Sequence, residues 1–342
     1  MSDPSDFIDW DTAVRIGSRI VGEGPTTTRA AAERAVADLR AAAVRSTDLV
    51  RDFAQLDAPD GTAPVLVVDR PGWVQANADS FATVLGPVVD TVMSKRKTGG
   101  VTQRLGSRIT GAEVGVLLGF MGTRVLGQFD PFHDPHGRLL LVAPNVVHVE
   151  QQIQADPADF RLWVCLHEET HRVQFTAVPW MRDHLMKQVE SLAATMAPDE
   201  KALEDGLRAA VQALRGGSLM DAVSNDEQRV AIDRITGMMS LLEGHADVVM
   251  DGVGPGVIPS VASIRRKFTQ RRKGVGPLDK ILRRLLGMDA KMAQYRDGAT
   301  FVRHVVDKVG MTDFNAVWAS ADNLPSKAEI HDPDSWVARV HG

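Results

Sequence analysis

The chain has 342 residues, 44% of them hydrophobic and 24% charged, and a formal net charge of −5. This is the composition of a folded globular protein, and it excludes a chain drawn to nucleic acid or anionic membrane by gross charge. The single cysteine, Cys165, excludes an intrachain disulfide and fits a reducing compartment. Trp10, Ala13, Val14, Ile16 and Ile20 recur at helical spacing and predict a helix over 9–21, ended by Gly22-Glu23-Gly24-Pro25. An alanine-rich helix follows over 28–56, with Thr27 or Thr28 as its cap. Ala63 to Asp69 is short, apolar and β-branched, hence a buried strand. Arg70-Pro71-Gly72-Trp73 then turns into a helix to about Ser94, and Lys95 to Gly100 read as a solvated loop.

Gly111, Gly115 and Gly119 lie four residues apart within 109–128. That stripe predicts close helix packing, since no phosphate-loop pattern accompanies it. Residues 129–137 are turn-rich. They hold His133 and His136, which are spaced as a second metal pair but read as solvated. Leu139 to Ala143 reads as a strand, and Asn145 as the cap of a short helix to Gln152. Asp156, Pro157 and Asp159 form a strong helix start. After a break at Val178-Pro179-Trp180, helices are expected to Arg215, with another break at Gly216-Gly217-Ser218. A long amphipathic helix spans Asn225 to Asp251 and is stopped by Gly252 to Gly256. Helical patterns continue to the end, broken at Gly274 to Pro277, Gly287, Gly310 and Pro325. The basic run Arg265, Arg266, Lys267, Arg271, Arg272 and Lys273 lacks interleaved aromatics and reads as a solvated helix face rather than a nucleic-acid contact. The longest apolar run, Val114 to Met121, is far short of the ~20 residues a membrane helix needs. The acidic start lacks the pattern of a secretory leader, so the expected compartment is the cytoplasm. Many helices against two or three short strands predict a mainly α (α+β) protein with a small sheet. It is expected as one unit over 1–342, with an N-terminal helical subdomain over 1–130 and a catalytic portion over 131–342.

The helix opened by Asp156 contains His167-Glu168-x-x-His171. Four-residue spacing puts both imidazoles on one face, where they can grip a metal ion, and sets the Glu168 carboxylate beside it as a general base. Cys165 points to another face and reads as a buried, inert thiol. A catalytic zinc site needs a third protein ligand. Gln174 and Ala177 rule out a third histidine soon after the motif. Glu243 and Asp247, four apart on the later helix, supply the alternative: Glu243 as third ligand, with Asp247 orienting a ligand imidazole. His245 lies about 200° round the helix from Glu243. It competes as a ligand if the helix distorts at Gly244, or as an oxyanion donor. Tyr295, the only tyrosine, is a second candidate donor.

His167-Glu168-x-x-His171 with Gln174-Phe175 and Pro179-Trp180 resembles the zincin-like metallopeptidase type 2 family. So do Leu242-Glu243-Gly244-His245-Ala246, Met250-Asp251 and Val125-Leu126-Gly127-Gln128-Phe129-Asp130. The likeness extends to Arg271-Arg272, Lys291, Gln294-Tyr295, Leu324-Pro325 and Trp336. It implies a zincin-like helical unit, its motif helix packed against a Glu-bearing helix, with Zn2+ on His167 and His171 and Glu168 as base. Some members are labelled as associated with biosynthesis of a deazaflavin coenzyme. The chemistry expected is zinc-dependent hydrolysis of a peptide or other amide substrate. An extended substrate would add to the strand Leu139 to Ala143 as an exposed edge. The competing expectation is a non-catalytic zinc-binding structural or interaction protein.

Overall fold

The first helix, α1 (Trp10–Val21), begins where Asp9 accepts a hydrogen bond from the Thr12 amide at 2.8 Å. Thr28 caps α2 (Arg29–Ala54) in the same way, through the Ala31 amide. The computed structural model describes residues 8–59, 61, 63–93, 101–133, 135–195, 226–273 and 288–342. The expected loop at 95–100, the helical stretch from 196 to Arg215 with the break at 216–218, and the breaks at 274–277 and 287 lie outside the described residues.

The chain divides into two compact units, Met1–Ala177 with Met250–Lys267, and Val178–Val249 with Phe268–Gly342. The first contains β1 (Val65–Val68), α3 (Arg70–Met93), α4 (Val101–Gly122), β2 (Gly127–Asp130), β3 (Arg138–Val142), α5 (Ala143–Gln152) and α6 (Pro157–Ala177). The glycine stripe does what its spacing predicts. A Cβ on Gly111 would stand 2.3 Å from the Asp9 carbonyl oxygen, and one on Gly115 would stand 2.6 Å from that of Ala13. Helices α1 and α4 therefore meet backbone to backbone.

The three strands run in the order β1-β3-β2, with β3 parallel to β1 and antiparallel to β2. Every residue of β3 is buried. The strand expected as a free edge is thus the central one, because an uninterrupted apolar run suits a position flanked on both sides. Strand β2 was not anticipated. Its sequence, Gly-Gln-Phe-Asp, has neither the β-branched content nor the apolar alternation that marks strands. What holds its end is a buried polar cluster. Asp130 accepts from Ser80 Oγ and, at 3.0 Å, from Arg138 Nε, while Arg138 also donates to the Ala76 carbonyl.

Asn145 is no cap. It lies inside α5, donates to the carbonyls of Gly122 and Val125, and accepts from Arg70 Nε at 2.7 Å. It ties down the turn leading into β2. His133 and His136 sit in the turn after β2, where the Gly137 amide donates to the His133 carbonyl.

The second unit contains α7 (Met181–Thr195), α8 (Asp226–Val253) up to Val249, and α10 (Met288–Phe314), followed by short 3-10 turns, α11 (Lys327–His331) and α12 (Pro333–His341). Helix α9 (Val261–Lys273) passes from the first unit into the second. Gly244 and Gly298 bring α8 and α10 into backbone contact; a Cβ on Gly244 would lie 2.1 Å from the Gly298 carbonyl carbon. Phe301, Phe314, Trp318 and Trp336 fill the core beside them. The expected break at Gly310 is a kink at φ 85° within α10. Mainly α with a small three-stranded sheet is the class the sequence predicted.

Candidate metal centre

Helix α6 is buried nearly all round, which explains why it lacks a clear polar face. Its charged groups are held by partners. Arg161 grips Glu150 at 2.9 and 2.7 Å and reaches Asp38 on α2, and Arg172 forks onto the fully buried Glu169. Cys165 is buried against the Leu39 carbonyl. Burial, reinforced by the charges of Glu168 and Glu169, drives its thiol pKa strongly upward, so it stays protonated and inert.

From Phe160 to Gln174 only His167 and His171 are not buried. Their rings stand edge to face with centroids 4.8 Å apart. Nδ1 of His171 lies 2.9 Å from Oε1 of Gln174, which can only accept, so Nδ1 carries the proton and Nε2 presents a lone pair. Nδ1 of His167 lies 3.2 Å from Sδ of Met250, a weak acceptor that favours the same tautomer. Two imidazoles one helical turn apart, each with Nδ1 turned to a protein acceptor, form a donor pair suited to a divalent ion such as zinc.

Glu168 is 7% exposed and lies against β2. A Cβ on Gly127 would stand 2.5 Å from Glu168 Cγ and 2.9 Å from Cδ. The strand is fixed there by a chain of amide contacts: Trp73 Nε1 donates to Gln128 Oε1 at 2.9 Å, and Gln128 Nε2 donates to Asn77 Oδ1 at 3.0 Å. Gly127, Gln174 and Met250 are site residues that spacing arguments missed. Gln174 stands in the sequence as a position that is not histidine and as part of the family-like motif, without a role; its place three residues after His171 was a usable signal for one.

On α8, from Gly237 to Met250, only Met239, Glu243 and Asp247 are half-exposed, again one position per turn. The helix runs unbroken through Gly244, so the distortion that would turn His245 toward Glu243's side is absent. His245 is fully buried, stacked on Phe314 at 5.6 Å and edge-on to Trp318 at 5.3 Å. Asp247 pairs with Arg303 at 3.2 Å. Tyr295 falls within α10, and its side chain lies outside the described residues. Of the basic run, Arg265 pairs with Asp251 at 2.8 Å and Lys267 donates to the Gln154 carbonyl. The side chains of Arg272 and Lys273 lie outside the described residues.

A family model described as zincin-like metallopeptidase matches residues 8–337. The chain belongs to that family. Comparison with solved structures finds a crystal structure from Chloroflexus aurantiacus, provisionally described as a hydrolase with a novel fold. It is 31% identical, covers 97% of this chain and 98% of its own, and has a TM-score of 0.73. Comparison with curated proteins gives no match. No described helix is long and apolar enough to cross a membrane. Family membership implies a metal, usually zinc.

Proposed function

We propose that this zincin-like protein is a zinc-dependent hydrolase of amide bonds, with peptides as the first substrate class to test. His167, His171 and Glu243 would hold the ion, and Glu168 would act as general base. The observation that carries the reading is the imidazole pair: the only open positions along the buried stretch of α6, each with Nδ1 turned to a protein acceptor.

Support for Glu243 comes from its donor chemistry and from helix geometry. It precedes Met250 by seven residues on one continuous helix, which returns it to nearly the same face about 10 Å away. Met250 touches His167. Asp247, one turn past Glu243, pairs with Arg303; with Nδ1 of His171 and of His167 met by Gln174 and Met250, the orienting role first given to Asp247 passes to those two residues.

A zinc ion so held would supply Lewis acidity for a water and for the substrate carbonyl. Glu168 takes the proton as that water attacks and passes it to the departing amine. Burial against Gly127 keeps the carboxylate from swinging away, so little reorganisation is needed at the moment of transfer. An extended substrate would add to β2, the outer strand beside α6, rather than to the enclosed β3.

The test is digestion of a diverse peptide mixture by zinc-loaded protein, read by mass spectrometry. New termini that appear with zinc and vanish with a chelator support a peptidase. Zinc bound in full with no cleavage of peptide or simple amide substrates returns the protein to a non-catalytic zinc-binding role.

A further inference from the structure

The half-exposed stripe on α6 does not end with the metal ligands. His167, His171 and Phe175 follow at four-residue intervals, and Phe175 is half-buried, as are Thr176 and Ala177 at the helix end, where Val173 and Gln174 before it are fully enclosed. A large apolar ring thus opens on the same helix face as the two histidines, one turn beyond His171. It is held in place from below. The Phe129 ring, 7% exposed, packs on it with centroids 5.6 Å apart and planes tilted by 33°. Phe129 lies two residues past Gly127 on β2, hence on the same face of the strand, the one that meets Glu168.

We propose that Phe175, backed by Phe129, forms the floor of a substrate subsite that takes an aromatic or branched aliphatic side chain next to the hydrolysed amide. The inference rests on the hydrolase reading and narrows its substrate class. Its physical basis is that ring surface left open beside a polar site gains free energy when a substrate group covers it. The rigid pair provides that surface with little ordering cost. A polar or charged side chain there would lose water without gaining a partner. Discrimination of this kind is worth roughly 10- to 200-fold between side chains differing by one methylene.

Two probes on the full-length, zinc-loaded protein separate this from the hydrolase reading. The first is binding of acetohydroxamate and of a hydroxamate carrying a benzyl group, measured by calorimetry on wild type, Phe175→Ala and Phe175→Leu. The expected result is benzyl preference of about tenfold or more in wild type, reduced in Phe175→Leu and lost in Phe175→Ala, with acetohydroxamate binding unchanged throughout. Equal affinity of wild type for the two compounds, or a preference that survives in Phe175→Ala, overturns the subsite. So does failure of both to bind. The second probe is cleavage of a peptide series varied only beside the scissile bond. Here Phe175→Ala should lower kcat/KM for the phenylalanine and leucine peptides while leaving the serine peptide unaffected. A uniform loss across the series would mark Phe175 as structural and overturn the proposal. Benzyl preference in a protein that cleaves none of the peptides would sink the peptidase reading and leave the subsite standing. Thermal melting of each variant confirms that it is folded, and Phe175→Leu preserves the contact with Phe129 if alanine does not.

Discussion

Gly127 and Glu168 touch with no room for a methyl group between them: a Cβ at position 127 would stand 2.5 Å from Glu168 Cγ and 3.1 Å from Oε1. The general base proposed for this site therefore rests on bare strand backbone. Gly127→Ala should displace the carboxylate while leaving the histidines in place. We expect a fall in kcat of roughly 10- to 100-fold with zinc content unchanged, because misplacement by about 1 Å carries that cost. Glu168→Asp shortens the base and removes the clash. Adding Gly127→Ala to Glu168→Asp should then cost little more. Full additivity of the two losses would refute the contact's role in positioning.

His171 owes its tautomer to Gln174 at 2.9 Å. Gln174→Leu should weaken zinc binding by roughly 10- to 100-fold, read by competition with a chromogenic chelator. Gln174→Glu keeps an acceptor at Nδ1 and should retain most of the affinity. Equal affinity in wild type and Gln174→Leu would show that the contact does not tune the ligand.

The buried Arg138–Asp130 pair, joined by Ser80, anchors the end of β2. Arg138→Leu leaves Asp130, 2% exposed, with its charge unbalanced. The expected destabilisation is about 3–5 kcal/mol by urea unfolding. A loss below about 1 kcal/mol would mean that β2 is held by its ladder and by Gln128 alone.

Glu329 closes a capping box with Ser326 and is forked by Arg339 at 2.6 and 3.1 Å. Burial pushes its pKa up, but the bonds from Arg339 and Ser326 outweigh that, and the net pKa is lowered from 4.5. A lowered folded pKa gives stability that is present above about pH 4.5 and is lost as pH falls through the folded value. Glu329→Gln should flatten that acid limb of the melting temperature against pH and leave the neutral limb parallel to wild type. An unchanged acid limb would assign acid unfolding to other carboxylates.

Most helices were legible because their caps, glycine stops and apolar spacing act locally: Thr28, Asp156 with Pro157, and the stripe at Gly111, Gly115 and Gly119 all mean what their positions suggest. The pairing of His167 and His171 on one open helix face was legible for the same reason, since i,i+4 spacing needs no tertiary information. What escaped depends on partners far away in sequence. β2 exists because β3 pairs with it and Arg138 holds it, not because Gly-Gln-Phe-Asp prefers to be extended. Asn145 looked like a cap because its residue type favours caps, yet its amide serves carbonyls 20 and 23 residues away. β3 looked like an edge only while β2 was missing.

The most direct test of the account is a side-by-side measurement of zinc content and amide hydrolysis for wild type and Glu168→Gln. The account predicts equal zinc in the two proteins and loss of hydrolysis in the variant by about 100-fold or more, since proton transfer by a placed base contributes roughly 10²- to 10⁴-fold. Zinc-loaded Glu168→Gln that hydrolyses amides at the wild-type rate would contradict it.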